Sequence, residues 1–267
     1  MKTATKIALC TIFALATAVH LFAQSARESA GRNDSREAQP MGEFVVVMDK
    51  AGGFRSRAGT SAHLLIVRPG GMAEVSGRET VHLGSDRLQA LMNTIVDDLR
   101  FPSIDGERVA AQIENAASAA NQLAHAVDAP VTTINIRWQD VEHRVQAYGI
   151  FVYARQFSDL DELQRLALVE RKLDWVIAWV QAGGEMPVNS ALERANAALK
   201  NEGAGTPVLT EQDLLAAVPG IQDGLTLQFA REENQIRWDV WVPPNPLPVE
   251  VKPTLLQKPP AEPAGFR

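Results

Sequence analysis

Residues 131–148 read VTTINIRWQDVEHRVQAY, and residues 158–184 read SDLDELQRLALVERKLDWVIAWVQAGG. In the first stretch Ile134, Ile136 and Trp138 alternate with Thr133, Asn135 and Arg137, the period of two that marks a half-buried strand. Gln139-Asp140 turns the chain, and Val141, His143, Val145 and Ala147 alternate back, so the pair predicts a β-hairpin. In the second stretch Leu160, Leu163, Leu166, Ala167, Leu173, Val176, Ile177 and Val180 fall on one stripe of a helix. Ser158 is its expected N-cap, with Asp161 three residues on as an approximate capping box, and Gly183-Gly184 is its expected C-cap. A hairpin beside a long amphipathic helix places the chain in the α+β class.

Upstream, the pattern repeats in outline. Phe44 to Met48 predicts a strand, Gly52-Gly53 a turn, and His63 to Val67 a second strand. Pro69-Gly70-Gly71 turns the chain into Met72–Val75, and Thr80–Leu83 adds one more strand. Ser85 is placed to cap a helix in which Leu88, Leu91, Ile95 and Leu99 recur at spacings of three and four, ending at Phe101-Pro102. Between the two blocks, residues 106–127 are Ala-rich with a weak apolar stripe, which predicts a peripheral helix. The main domain therefore spans 43–184, as antiparallel hairpins each packed with a helix, in the manner of a duplicated ββα-type unit.

Downstream, a small ααββ block is expected over 189–242. Ser190 and Glu193 form a capping box for a helix to about Glu202, and Thr210 caps a short helix through Val218. Leu225, Leu227 and Phe229, then Ile236, Trp238, Val240 and Val242, predict a hairpin with Trp241 on its outer side. From Pro243 to the end, eight of 25 residues are Pro, and the tail is expected to be extended and largely unpacked.

The first 23 residues read as a secretory signal. Lys2 and Lys6 precede an apolar run from Ile7, with small-residue cleavage patterns ending at Ala18 and Ala23. Counted to Phe22 the apolar stretch is 16 residues, short of the roughly 20 a spanning helix needs. Removing the signal removes Cys10, the only cysteine, so the mature chain has no disulfide, thiolate nucleophile or sulfur-ligated zinc. A disulfide-free exported chain suits the bacterial periplasm or secretion. Residues 24–42 are polar and aperiodic and are expected to be a flexible leader. Lys and Arg number 26 against 32 Asp and Glu, a formal charge of -6, which disfavours nucleic acid and anionic lipid as partners. No integral membrane segment is expected after signal cleavage.

The familiar catalytic and cofactor patterns are missing: no Gly-x-Ser-x-Gly, His-Glu-x-x-His, Walker loop or Gly-x-Gly-x-x-Gly occurs. The mature chain keeps His63, His82, His125 and His143, with no pair at metal-ligand spacing on a helix. His63 and His82 could meet across the first sheet, but they are read as edge-strand histidines, and no metal or cofactor is assigned. Asp159, Asp161 and Glu162 are read as helix-dipole acids, not as a calcium site. Trp175 and Trp179, four apart, are read as packing residues, and Trp241 as the better candidate for an exposed contact. No catalytic residue is assigned.

The stretch Val46-Val47-Met48-Asp49-Lys50-Ala51-Gly52-Gly53-Phe54, followed by strand, PGG turn, strand and capped helix, resembles the emfourins. These are small bacterial inhibitors of thermolysin-type metallopeptidases that share a Gly-Gly-Phe signature after the first strand. The resemblance covers residues 43–101, and the whole is also similar to longer exported bacterial proteins with a second hairpin–helix block like 131–182. This chain departs from the inhibitors in its export signal, its length and its Arg-rich Phe54-Arg55-Ser56-Arg57. The resemblance implies a binding loop at Gly52, Gly53 and Phe54 and a protein partner, in its sharpest form a secreted metallopeptidase; Arg55 and Arg57, beside it in sequence, are this chain's own further binding candidates. The alternative expectation is a structural or assembly factor of the cell envelope. A hydrolase built on dispersed Asp, Glu and His is the least favoured reading.

Overall fold

The structure, a computed structural model, describes residues 43–52, 65–76, 79–121, 129–202, 208–219, 225–231, 236–242 and 250–255. The expected signal sequence and leader lie outside the described residues. Helices and antiparallel sheets make an α+β fold. A six-stranded sheet has the order β4-β3-β2-β1-β5-β6, built from β1 (Val46–Ala51), β2 (Leu65–Val67), β3 (Met72–Val75), β4 (Glu79–His82), β5 (Val131–Trp138) and β6 (Val141–Tyr148). The two predicted strand blocks share this sheet, because β1 pairs antiparallel with β5 from Val46↔Ile136 to Ala51↔Val131. β1 is therefore a central strand although it comes first in sequence. Its Val46 and Met48, with Leu65, Val67, Ala73, Val75, Ile134, Ile136 and Val145, form the inner face, each nearly or wholly buried.

Between β4 and β5, α1 (Ser85–Asn93) continues into a wider π-helical turn at Thr94–Asp98, a short 3₁₀ turn covers Phe101–Ser103, and α2 spans Gly106–Ala119. Ser85 is the first residue of α1 and not its cap: Gly84 holds the cap position at φ 80, without a side-chain bond. Asp105 caps α2 through Glu107 and Arg108 N–H. α2 is less peripheral than its composition suggests, since Val109, Ile113 and Ala117 are buried and the helix packs on β6. The chain entering α2 also covers the open edge of β6. His143 Nε2 lies 2.7 Å from the Ile104 carbonyl, Phe101 meets the His143 ring edge-on at 5.3 Å, and Gly106 rests on the Gln146 carbonyl. Covering an edge this way blocks strand pairing with other chains.

After β6, Gly149 at φ 61 swings the chain into α3 (Ile150–Gln156), a helix the sequence pattern does not announce. α4 (Asp161–Gln181) then starts after Leu160, so Ser158 does not cap it; the Gln164 side chain instead donates to the carbonyls of Ala154 and Phe157 in the α3–α4 connection. Six of the eight predicted stripe residues are buried, with Leu160 and Ala167 half-buried, and α4 ends as expected: Gly183 (φ 87) and Gly184 (φ 90) turn back onto the Val180 and Trp179 carbonyls. α5 (Glu185–Glu202) follows at once, which makes Ser190 and Glu193 interior residues and not a capping box.

The C-terminal part is a second, four-stranded antiparallel sheet of order β10-β9-β8-β7: β7 (Leu214–Pro219), β8 (Leu225–Arg231), β9 (Ile236–Val242) and β10 (Glu250–Leu255). Thr210 and Asp213 do form a capping box, but it closes a single 3₁₀ turn at Glu211–Asp213, and the residues after it are strand instead of helix. The proline-rich tail is likewise not wholly unpacked, because 250–255 pairs with β9 in full register. Pro253 is tolerated there because β10 is an edge strand, where a missing N–H costs no ladder bond. This sheet docks on the main domain through β7 against α4 and through α5 against β9 and β10.

Gly106 gives the sharpest test of the edge cover. A Cβ at that position would overlap the Gln146 carbonyl oxygen, whereas at Gly70 it would meet nothing within 4 Å. Gly106→Ala should destabilise by about 1–3 kcal/mol, a melting-temperature loss of roughly 3–10 °C, and Gly70→Ala should leave the transition within about 1 °C in the same thermal scan.

Candidate functional site

Inner-face positions along β1 run Val46, Met48, Lys50, so the strand's period of two drives an ammonium into the core side of the sheet. Its partners come from far along the chain. Lys50 Nζ donates to both oxygens of Asp174 at 2.6 and 2.8 Å and lies 3.1 Å from Glu170 Oε1. Glu170 and Asp174 stand one turn apart on α4, facing β1. Thr132, directly opposite Lys50 in the β1–β5 ladder, donates its hydroxyl to Glu170 Oε1 at 2.8 Å. Thr132 and Glu170 are buried, and Asp174 is the solvent-side member with a side-chain exposure of 37%. Burial alone would push the Lys50 ammonium down, but Asp174 and then Glu170 hold it above the ordinary lysine value of 10.5. Lys50 is thus charged at neutral pH, and the Thr132 hydroxyl is buried and bonded to Glu170. What the cluster does is clamp the end of β1 to α4.

Two residues on from the clamp stands Gly52, exposed, at φ 81, with open space where a Cβ would be. It is the last described residue of the Gly-Gly-Phe motif. Gly53, Phe54, Arg55 and Arg57 lie outside the described residues. Trp241, expected on an open face, is half-buried on β9, in register with Thr226 on β8 and Glu250 on β10. The sequence pattern does not reveal β10, which pairs with β9 beside Trp241.

Two further ion clusters brace the same helix. Arg108 donates to Glu162 Oε1 and Oε2 at 2.6 and 2.7 Å, and the Asp105 N–H donates to Glu162 Oε1 at 2.7 Å. The Arg108 bond, working against burial, holds the Glu162 carboxyl below the usual carboxylate range. Asp161 is paired in turn with Arg165, so Asp161 and Glu162 each have an arginine partner. At the other end Arg87 bonds Glu185 at 2.9 Å and Glu211 at 3.4 Å, with its guanidinium 4.8 Å above the Trp179 ring. Trp175 stacks on Trp179 at 5.3 Å and donates to the Glu211 carbonyl, so both tryptophans are packing residues as expected. His63 and His125 lie outside the described residues, and His82 Nδ1 accepts from the Gly84 N–H. Among the described residues no three His, Cys, Asp or Glu side chains are grouped to hold a metal, and no helix is long and apolar enough to cross a membrane.

No protein family, curated protein or solved structure matches the chain. The functional reading therefore rests on its own residues.

Lys50→Met should cost about 2–4 kcal/mol, measured by urea unfolding, because it leaves Glu170 and Asp174 without their cation. Since the folded-state pKa of Lys50 lies above 10.5, its contribution is complete below that pH and disappears as pH rises through the folded value. The stability gap between wild type and Lys50→Met should therefore be constant from pH 7 to about 10 and shrink in more alkaline buffer.

Proposed function

We propose that this chain is an exported, non-catalytic binding protein that acts through the loop beginning at Gly52, and in its sharpest form inhibits a secreted metallopeptidase. The observation that carries the reading is the clamp at Lys50. The strand that delivers Gly52-Gly53-Phe54 is central in its sheet and is pinned to the main helix two residues before the motif starts. A binding loop rooted in a fixed base loses less freedom on docking, so more of its contact energy appears as affinity. Arg55 and Arg57 follow Phe54 in sequence and give the segment positive charge for polar contacts with a partner.

A second reading, an envelope assembly factor, is favoured by a different surface. Tyr148, Phe151 and Val152 are 41%, 63% and 44% exposed within five positions of sequence, where β6 passes into α3. Apolar side chains grouped in this way mark contact surfaces more often than isolated ones do.

The chain from Gln24 onward, titrated into thermolysin-like peptidases, should slow peptide hydrolysis, and Gly53→Arg should raise the inhibition constant by more than about 100-fold, some 2.7 kcal/mol, with an unchanged melting temperature. Full peptidase activity at saturating wild-type chain removes the inhibitor reading. A photo-crosslinker at Phe151 that traps one envelope protein, and no peptidase, would install the second reading in its place.

A further inference from the structure

We infer that the exposed side of α3 seats the protein on the surface of an anionic phospholipid bilayer. The inference rests on the surface of the second reading and names its occupant; it is independent of the inhibitor reading. It starts from the composition of the helix. α3 opens with Ile150-Phe151-Val152-Tyr153, apolar all the way round. Ile150, Tyr153, Ala154 and Phe157 are buried and are enough to seat it on the core. Phe151 and Val152 point the other way and stand open to water. A helix apolar on every side is ordinarily buried, so this one lacks a cover.

The open surface continues onto α4. Thr132, opposite Ala147 just before α3 begins, bonds Glu170, and the Gln164 side chain bonds the last carbonyls of α3. α3 therefore runs antiparallel beside α4. Leu168, one turn beyond Gln164 on the same side of α4, is 43% exposed, and Lys172 is exposed one turn further on.

The charges at the border decide what the cover is. Arg155 stands one turn beyond Phe151, with its guanidinium 5.6 Å from the centre of that ring. Among the described residues neither Arg155 nor Lys172 pairs with a carboxylate. From His143 to Ser158 the sequence holds Arg144 and Arg155 and no acid. The Tyr148 ring is open while its hydroxyl accepts the Ala129 N–H at 3.2 Å, the apolar body and polar tip that suit an aromatic side chain to a membrane interface. A folded partner would offer charges of both signs, whereas a border of cations alone matches a plane of phosphates. Binding then adds apolar area entering the headgroup region to the attraction of the two cations. The formal charge of -6 opposes this only weakly, because at 0.1 M salt charges more than about 10 Å from the bilayer are largely screened.

Every described residue lies beyond the expected signal sequence, so the chain from Gln24 onward is the one to test. In flotation assays it should bind vesicles of equal parts phosphatidylcholine and phosphatidylglycerol, and pure phosphatidylcholine at least about tenfold more weakly. Phe151→Ser with Val152→Ser should weaken binding to the mixed vesicles at least about tenfold, and so should Arg155→Glu with Lys172→Glu. All four side chains are exposed, so the melting temperature should not move. That chain has no cysteine, so a polarity-sensitive dye can be placed at Phe151→Cys. Its emission should shift to the blue on the mixed vesicles, while the same dye at Glu193→Cys, exposed on α5, should stay unshifted. No binding at millimolar lipid, binding that survives both double substitutions, or a dye that shifts at Glu193 and not at Phe151 overturns the inference. A photo-crosslinker at Phe151 that traps an envelope protein, with vesicles ignored, gives the surface to a protein: this inference then falls and the second reading stands.

Discussion

Val176, Ile177, Ala178, Trp179 and Val180 are consecutive in α4, and all five are buried. Five neighbouring residues go all the way round a helix, so no single sheet can cover them. The six-stranded sheet takes one side through β3 and β4, and β7 takes another. The rest of the architecture follows from this requirement. The C-terminal sheet is not an appendage hung from α5, because without it the last turns of α4 would face water. Gly183 and Gly184 serve the same end by letting α5 start at once and stay close; a side chain on Gly184 would press on Val81 at 2.6 Å.

The charged residues of α4 show how such a helix avoids penalty. Glu162 and Glu170 are buried, and an unmatched carboxylate there would be costly; Asp174 lies at the solvent edge of the same cluster. Glu162 instead meets Arg108 from α2, and Glu170 and Asp174 share Lys50 from β1. An ion pair of this kind adds little stability relative to apolar packing, but it penalises wrong registers heavily. A two-residue slip of β1 along the helix would leave Lys50 facing apolar side chains and two carboxylates alone. The clamp therefore fixes the position of β1, and with it where the Gly52 turn leaves the sheet.

The parts visible in the sequence are those whose pattern is local. The 131–148 hairpin alternates cleanly, and α4 has both a stripe and a diglycine stop. Elsewhere local signals are real but reach less far than their pattern suggests. Thr210 and Asp213 do cap, yet only one turn, and Leu214–Val218 turns to strand because α4 needs a flat apolar partner more than it needs another helix. Residues 150–156 carry no helical stripe, and Ile, Phe, Val and Tyr are types common in strands, yet Gly149 in the left-handed region turns the chain into a helix there. Proline hid β10, since its exclusion from strands relaxes only at an edge, and an edge is a tertiary fact. The Gly-Gly-Phe motif was legible as a sequence. Its anchor was not, because Lys50 and Asp174 are separated by 124 positions. One clue was available: Lys50 shares the inward parity of Val46 and Met48, and a cation there requires a partner.

What a loop can gain from such a base can be bounded. Ordering one residue's backbone costs about 1–2 kcal/mol, and a free loop of several residues would spend most of a modest interface on ordering itself. Fixing Lys50, and through the β1–β5 ladder Ala51, removes that cost only for the residues up to Gly52. Glycine at Gly52 works in the opposite direction, because φ 81 is open to it in folded and unfolded chain alike. The clamp and the glycine are thus complementary. The first sets the point and direction from which the loop departs, and the second permits the sharp exit that a side chain would resist. A rigid root with a permissive hinge fixes where the chain leaves the sheet and leaves Gly52 exposed, the arrangement that the proposed binding role calls for.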